Sequence, residues 1–281
     1  MLATLIIVFR EALEAGLIIG IVLAATRGVP GRGRWVTLGL GGGALGACLV
    51  AMFARELSRL FEGSGQELFN AGVLLLAVGM LIWHNVWMAG HGREMSRQLS
   101  AMGTEVKLGA RSLAALAVVI GVAVLREGSE VVLFLYGVAA QGGSTAPGML
   151  GGGALGLLAG AAVSALLYFG LLAIPMKRLF AVTGALITMV AAGLAVQAVA
   201  FLQQGGLCNV LETPLWDTSG WLPEDTVAGR VLKTLLGYTD RPDGLQLGAW
   251  SAVILLMIGL ARLVRWHRSR SPLTVAVPGR R

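Results

Sequence analysis

Apolar residues run through this chain in long blocks, without the strict alternation of a half-buried strand or the single stripe of a soluble amphipathic helix. Seven blocks stand out, at about 2–26, 35–54, 67–90, 113–140, 148–173, 178–203 and 245–265. Each can cross a hydrocarbon core of about 30 Å at about 1.5 Å per helical residue. The connectors are mostly short and punctuated by Gly, Pro and basic residues: RGVPGRGR after the first block, QGGSTAP after the fourth and PMKR after the fifth. The pattern predicts an all-α, polytopic membrane protein with seven transmembrane helices.

Two blocks break the apolar rule in the same way. The first carries REALE at 10–14 and the fourth carries REGSE at 126–130. The string LGGGALG occurs at 40–46 and again, unchanged, at 150–156, and ELFNAG at 67–72 is weakly echoed by RLFAVTG at 178–184. Offsets of 110 to 116 residues therefore relate blocks one to three with blocks four to six. Three is an odd number of crossings, so the second unit enters from the opposite face. The expectation is a 3+3 inverted repeat plus one C-terminal helix, a plan that places a substrate site near the midplane between the halves. The membrane domain then spans 1–265, with repeat one at about 2–90, repeat two at about 113–203, an outer loop at 204–244, a last helix at 245–265, and a basic tail at 266–281.

Composition sharpens this picture. Only 13% of residues are charged and 41 of 281 are Gly, whereas a soluble domain carries about a quarter charged residues. A cleaved signal peptide is disfavoured for residues 1–26, because nothing basic precedes Arg10 and two carboxylates interrupt the apolar stretch. Fifteen Lys and Arg fall on one side of the predicted spans: Arg27, Arg32 and Arg34; Arg93, Arg97, Lys107 and Arg111; Lys177 and Arg178; and six arginines from Arg262 onward. Five fall on the other: Arg55, Arg59, Arg230, Lys233 and Arg241. Basic loops stay cytoplasmic, so the reading is a multi-pass protein of the inner or plasma membrane, N-terminus outside and C-terminus in the cytoplasm. The net charge of +7 then belongs with anionic lipid of the bilayer rather than with nucleic acid.

The intramembrane charges carry the chemistry. At about 100° per residue, Glu11 and Glu14 lie on one face one turn apart, as do Glu127 and Glu130. Arg10 can reach Glu14, and Arg126 can reach Glu130, as i,i+4 pairs. Burying one such charge at mid-bilayer costs on the order of 3 kcal/mol. A helix-pinning ion pair needs one Glu per Arg, and each motif has two. With all groups ionised the two motifs sum to −2, a charge that a divalent cation neutralises. Oxygen ligation suits Mg, Ca, Mn or Fe rather than thiolate-bound metals; Cys48 and Cys208 are isolated and lie outside both motifs.

Two R-E-x-x-E motifs in the first and fourth of seven spans resemble the oxidase-dependent iron transporter family, which includes the fungal high-affinity iron permease and the bacterial Efe-type ferrous iron permeases. The resemblance covers about 2–265, including QELF opening the third span and LLGY before the last. It implies iron import across the cytoplasmic membrane, with iron as the transported substrate and no resident cofactor. By the same resemblance Glu11, Glu14, Glu127 and Glu130 are iron-binding glutamates, Arg10 and Arg126 are their charge partners, and periplasmic iron-binding and peroxidase or oxidase proteins are partners. The chain departs from the usual R-E-G-L-E at Ala12 and Ser129, and has Asn70 where bacterial members often show Glu. Related proteins carry other metals, so manganese and lead remain alternative substrates.

Three further stretches matter less. IWHNVWM puts His84 between Trp83 and Trp87 at the inner end of the third span, where it reads as a satisfied polar neighbour of interfacial Trp or as a transient exit ligand. REMSRQLSAM places Met95, Leu99 and Met102 on one stripe, as expected of a helix lying on the cytoplasmic interface. In the outer loop, PEDTVAGRVLKTLLG has an apolar stripe through Val227, Val231 and Leu235 and a stop at Gly237, predicting a short amphipathic helix. Asp217, Glu224 and Asp225 beside it form either a cation-collecting vestibule or a merely solvated loop. Two rival functions are weaker. A proton-coupled exporter of organic cations wants more aromatic lining than Phe9, Phe134 and Tyr136 supply, and an intramembrane metalloprotease wants an H-E-x-x-H helix that the spans lack.

Overall fold

The structure, a computed structural model, describes residues 1–59, 65–140, 145–170, 176–208 and 210–270. The tail from residue 271, most of the QGGSTAP connector, and the side chains of Arg59, Arg93, Lys177, Arg178, Arg265, Arg268 and Arg270 lie outside the described residues. Among those described, the chain is all-helical: α1 (Leu2–Ala25), α2 (Arg32–Arg59), α3 (Gln66–Lys107), α4 (Ala114–Ala140), α5 (Ala146–Tyr168), α6 (Met176–Gln204), α7 (Val227–Leu236) and α8 (Gly244–Arg270). A single isolated bridge joins Pro214 to Asp243.

Among the described residues, five segments are long and apolar enough to cross a bilayer: Arg32–Glu56, Gln66–Met88, Ala146–Tyr168, Ala181–Gln204 and Gly244–Val264. Helices α1 and α4 have similar length, 24 and 27 residues, but each holds one of the three-charge motifs in its middle. Large apolar side chains face outward along these helices, among them Leu45 and Leu49 of α2, Leu158 of α5 and Leu255 of α8. In water such a surface would be an aggregation liability; in lipid it is the solvent-facing side. The protein is a multi-pass membrane protein.

Glycine sets how closely the helices approach. The most extensive helix contacts are α1 with α5 and α2 with α4. A methyl group at Gly156 of α5 would stand 2.6 Å from the Leu5 carbonyl oxygen and 2.9 Å from the Phe9 nitrogen. One at Gly43 of α2 would stand 2.6 Å from the Gly121 carbonyl oxygen. Both contacts bring backbone against backbone, which only a residue without a Cβ permits. On α5 the Ser164 hydroxyl also donates to the Leu13 carbonyl at 3.4 Å.

Helix α3 runs unbroken to Lys107, past the predicted end near residue 90. Its second half does not lay its stripe on lipid. Met102 and Val106 are buried against Val22 of α1, Val36 of α2, and Leu116 and Ile120 of α4, with Leu99 packed on the same cluster. The stripe of REMSRQLSAM is thus covered at its Met102 end by neighbouring helices rather than by lipid. A second apolar cluster lies toward the other ends of α1 and α4, built from Ala3, Ile7, Leu74, Ala77, Leu81, Phe134, Val138 and Leu194. The charged motifs are held between these two clusters.

The loop between α6 and α8 contains the expected short helix. Thr226 caps α7 by accepting from the Gly229 amide at 3.0 Å, and Gly237 ends it at φ 70°, the left-handed conformation glycine adopts without strain. Trp250 Nε1 donates to the Leu236 carbonyl at 2.7 Å and ties α7 to α8.

Candidate metal centre

Six ionisable side chains from three helices meet in the charged layer. Arg10, Glu11 and Glu14 come from the middle of α1, His84 from α3, and Glu127 and Glu130 from α4; all six are buried. Arg10 Nε lies 2.9 Å from Glu14 Oε1, and Arg10 NH1 donates to Glu11 Oε1 at 3.3 Å. On α4 Arg126 Nε donates to Glu130 Oε1 at 3.2 Å. Both i,i+4 pairs expected from the helical period are therefore present.

Glu11, His84, Glu127 and Glu130 each offer one ligand atom, and those atoms all lie within 4.8 Å of one another. That spacing suits a common ion, since two oxygens bound to one cation at about 2.0–2.6 Å are separated by less than about 5 Å. Oε2 of Glu11 and Oε2 of Glu127 are buried and accept no hydrogen bond among the described residues. Buried carboxylate oxygen without a donor is expensive, and either a cation or a proton shared between the two carboxyls relieves it. Glu14 does not join this group. Its Oε2 meets His84 Nε2 at 2.9 Å, one imidazole away from the cluster.

His84 is the member whose partners the sequence located least well. It sits amid the charges, four residues before the end of the apolar segment Gln66–Met88. Its Nδ1 stands 2.7 Å from Glu130 Oε2 while Nε2 faces Glu14, so the ring bridges the two motifs. Arg126 NH2 approaches the same Nδ1 at 3.4 Å. Leu74, Ala77, Leu81 and His84 follow one another at helical spacing, and all are buried. A stripe of that kind aims its last member at the core, but in a helix apolar on every side it does not stand out.

The two motif arginines are not equivalent. Arg10 is 2% exposed and Arg126 is 38% exposed. Arg126 lies 4.9 Å from the centre of the Trp87 ring, in cation–π contact.

The outer acids are spent locally. Asp217 pairs with Arg241 at 3.0 Å and accepts from the Ser219 amide and hydroxyl. These contacts, Ser219 foremost, hold its carboxyl down at about 2. Glu224 pairs with Lys233 and accepts from the Asp240 amide. Asp225 receives Arg230 on its backbone carbonyl.

A bundle of membrane-crossing helices that buries carboxylates around a shared ligand position has the makings of a cation transporter. The chain belongs to the iron permease FTR1 family, whose model it matches over residues 1–267. It is 31% identical over 254 residues to the ferrous iron permease EfeU of Escherichia coli O6:K15:H31 (strain 536 / UPEC), a match covering 89% of this chain and 91% of that protein. The same identity and coverage hold for the ferrous iron permease EfeU of Shigella sonnei (strain Ss046). Against the Yersinia pestis ferrous iron permease EfeU it is 29% identical over 246 residues, 86% of each chain. No solved structure matches it. Membership in a permease family sets it among transporters.

Proposed function

We propose that the protein imports iron across the cytoplasmic membrane, binding the ion between α1, α3 and α4. Glu11, Glu127 and Glu130 ligate through oxygen; His84 ligates through Nδ1 once the arriving ion displaces to water the proton that Nδ1 shares with Glu130, while Glu14 holds Nε2 and orients the ring. The observation that carries this reading is the convergence of four ligand atoms within 4.8 Å, from helices that start 112 residues apart in the chain. One imidazole among carboxylates moves the site away from purely hard ions such as Mg and Ca and toward Fe(II) or Mn(II). Arg10 and Arg126 reduce repulsion between the glutamates when no ion is present.

We read α1–α3 and α4–α6, with α8, as seven crossings with an inverted repeat. The crossed pairing of α1 with α5 and of α2 with α4 supports it, because a pseudo-two-fold axis exchanges those two contacts. Gly46 faces Leu125 as Gly156 faces Phe9, and the residues on each side differ by the same 110 and 116 positions that relate the motifs. With the N-terminus outside, the ion arrives from the α7 side and the halves rock about the fixed site to release it inward. Periplasmic proteins that bind or oxidise iron are the partners this role requires.

Uptake of radioactive iron in cells lacking other importers tests the proposal. Glu11→Gln, Glu127→Gln and Glu130→Gln should each abolish uptake at limiting iron with normal membrane levels of protein, and unlabelled manganese or lead in the same assay ranks the competing metals. Normal uptake by any of these three variants would count against direct ligation by that residue.

A further inference from the structure

The charged layer is closed on one side and approached by a cleft on the other. Toward the N-terminal end of α1, Ile7, Leu74, Phe134, Val138 and Leu194 are all fully buried and packed together. No described polar group offers a stepping point through them except Thr4, whose buried hydroxyl lacks a partner. Toward the C-terminal end of α1 a cavity of about 270 Å³ reaches the motif itself. Arg126 and Glu127 form its inner end; Ile18, Met95, Leu99, Val119 and Val122 are among its walls. The inequality of the arginines follows from this: Arg126 borders the cleft, and Arg10 lies on the closed side.

The helix that roofs the cleft is polar on its other face. Glu94, Arg97 and Gln98 of α3 are exposed, Gln98 donates to Glu94 at 3.2 Å, and Glu105 pairs with Arg111 at 3.0 Å. A helix segment with a polar outer face and Met95 and Leu99 turned inward sits at the membrane–water boundary, so the space beneath it is within reach of water.

Resting on the iron-import reading above, we propose that the cleft between α3 and α4 is the cytoplasmic release vestibule of the transport site, and that this conformation faces inward. Its walls suit release. Beyond Glu127 they offer an ion no further carboxylate, and the fixed charge of Arg126 at the inner end disfavours a cation lingering there. Binding must be weak enough on the way out for an ion to leave.

Cysteine accessibility tests it. In a Cys48→Ala, Cys208→Ala parent, Val119→Cys and Leu99→Cys probe the cleft walls, Val138→Cys the closed side and Leu158→Cys the lipid face. A charged, membrane-impermeant methanethiosulfonate is applied to inside-out and right-side-out vesicles. Thiols in water ionise and react, whereas thiols in lipid or packed protein do not. The cleft cysteines should react from the cytoplasmic face on the order of tenfold faster than Leu158→Cys, Val138→Cys should stay inert from either face, and modification of the cleft should stop iron uptake. Cleft cysteines as slow as Leu158→Cys, a reactive Val138→Cys, or full modification without loss of uptake would each overturn the vestibule. Should Val119→Cys fail to accumulate, Ala123→Cys, which lines the same cleft, replaces it. Labelling needs no iron, so a parent that labels as expected but transports none would sink the iron reading while leaving the water-filled cleft in place.

Discussion

Replacing His84 with alanine separates two jobs that the structure gives one ring. His84 contacts Glu14 at 2.9 Å and Glu130 at 2.7 Å. A hydrogen bond to a charged group contributes about 1.5–3 kcal/mol, so losing both removes about 3–6 kcal/mol. That matches the cost of about 3–5 kcal/mol for breaking a buried ion pair and leaving one charge uncompensated. At about 2–4 °C per kcal/mol for a large domain, the thermal midpoint of the purified protein without added metal should fall on the order of 10 °C. His84→Gln keeps one donor and should lose about half as much. Metal gives the second readout. A ligand at about 100 times its Kd stabilises by about 2.7 kcal/mol, and a variant short of one nitrogen ligand should gain less than the parent at the same Mn(II) or Fe(II) concentration. A His84→Ala protein whose midpoint and metal-induced shift both equal those of the parent would refute the bridge and the ligand role together.

Other consequences follow from the same contacts. Gly156→Ala should push α1 from α5 and lower the midpoint by about 1–3 kcal/mol equivalent, whereas Gly42→Ala, with nothing within 4 Å of the added methyl, should leave thermal stability unchanged in detergent. Arg10→Gln strands two buried glutamates and should destabilise by about 3–5 kcal/mol, while Arg126→Gln, at a half-open position, should destabilise measurably less; equal midpoints would contradict the closed and open sides described. In the outer loop Asp217 is held at about 2, below its ordinary 3.8. A depressed carboxyl stabilises the loop above its ordinary value and loses that contribution as pH falls from about 4 through about 2. The Asp217 clasp should therefore be unaffected near neutrality, and NMR titration should show its carboxyl protonating only in that acid window, a midpoint near 4 being the contrary result.

What could be read from the chain follows from which forces act locally. The glutamate motifs were legible because a charge inside an apolar block is conspicuous whatever packs against it, and their i,i+4 arginine pairs need only one helix. The α7 helix was legible for a similar reason: Thr226, the apolar stripe and Gly237 are contiguous. The fate of that stripe was not, since Val227 remains exposed. The partners of His84 were not legible because they come from α1 and α4, and nothing in IWHNVWM records which residues α3 meets there. The length of α3 was missed because the apolar block ends near residue 90, while the contacts of Met102 and Val106 with three other helices favour continuation. The unequal arginines were invisible for the most basic reason. Two near-identical motifs carry no mark of which one borders a cleft.

The central claim is that one ion is held jointly by α1, α3 and α4. Anomalous scattering at the iron edge from crystals of the protein soaked in ferrous iron tests it most directly. The account predicts a peak within ligand distance of Glu11, His84, Glu127 and Glu130 that disappears in Glu127→Gln. A well-occupied iron peak elsewhere along the helices, with these four side chains left uncoordinated, would contradict it.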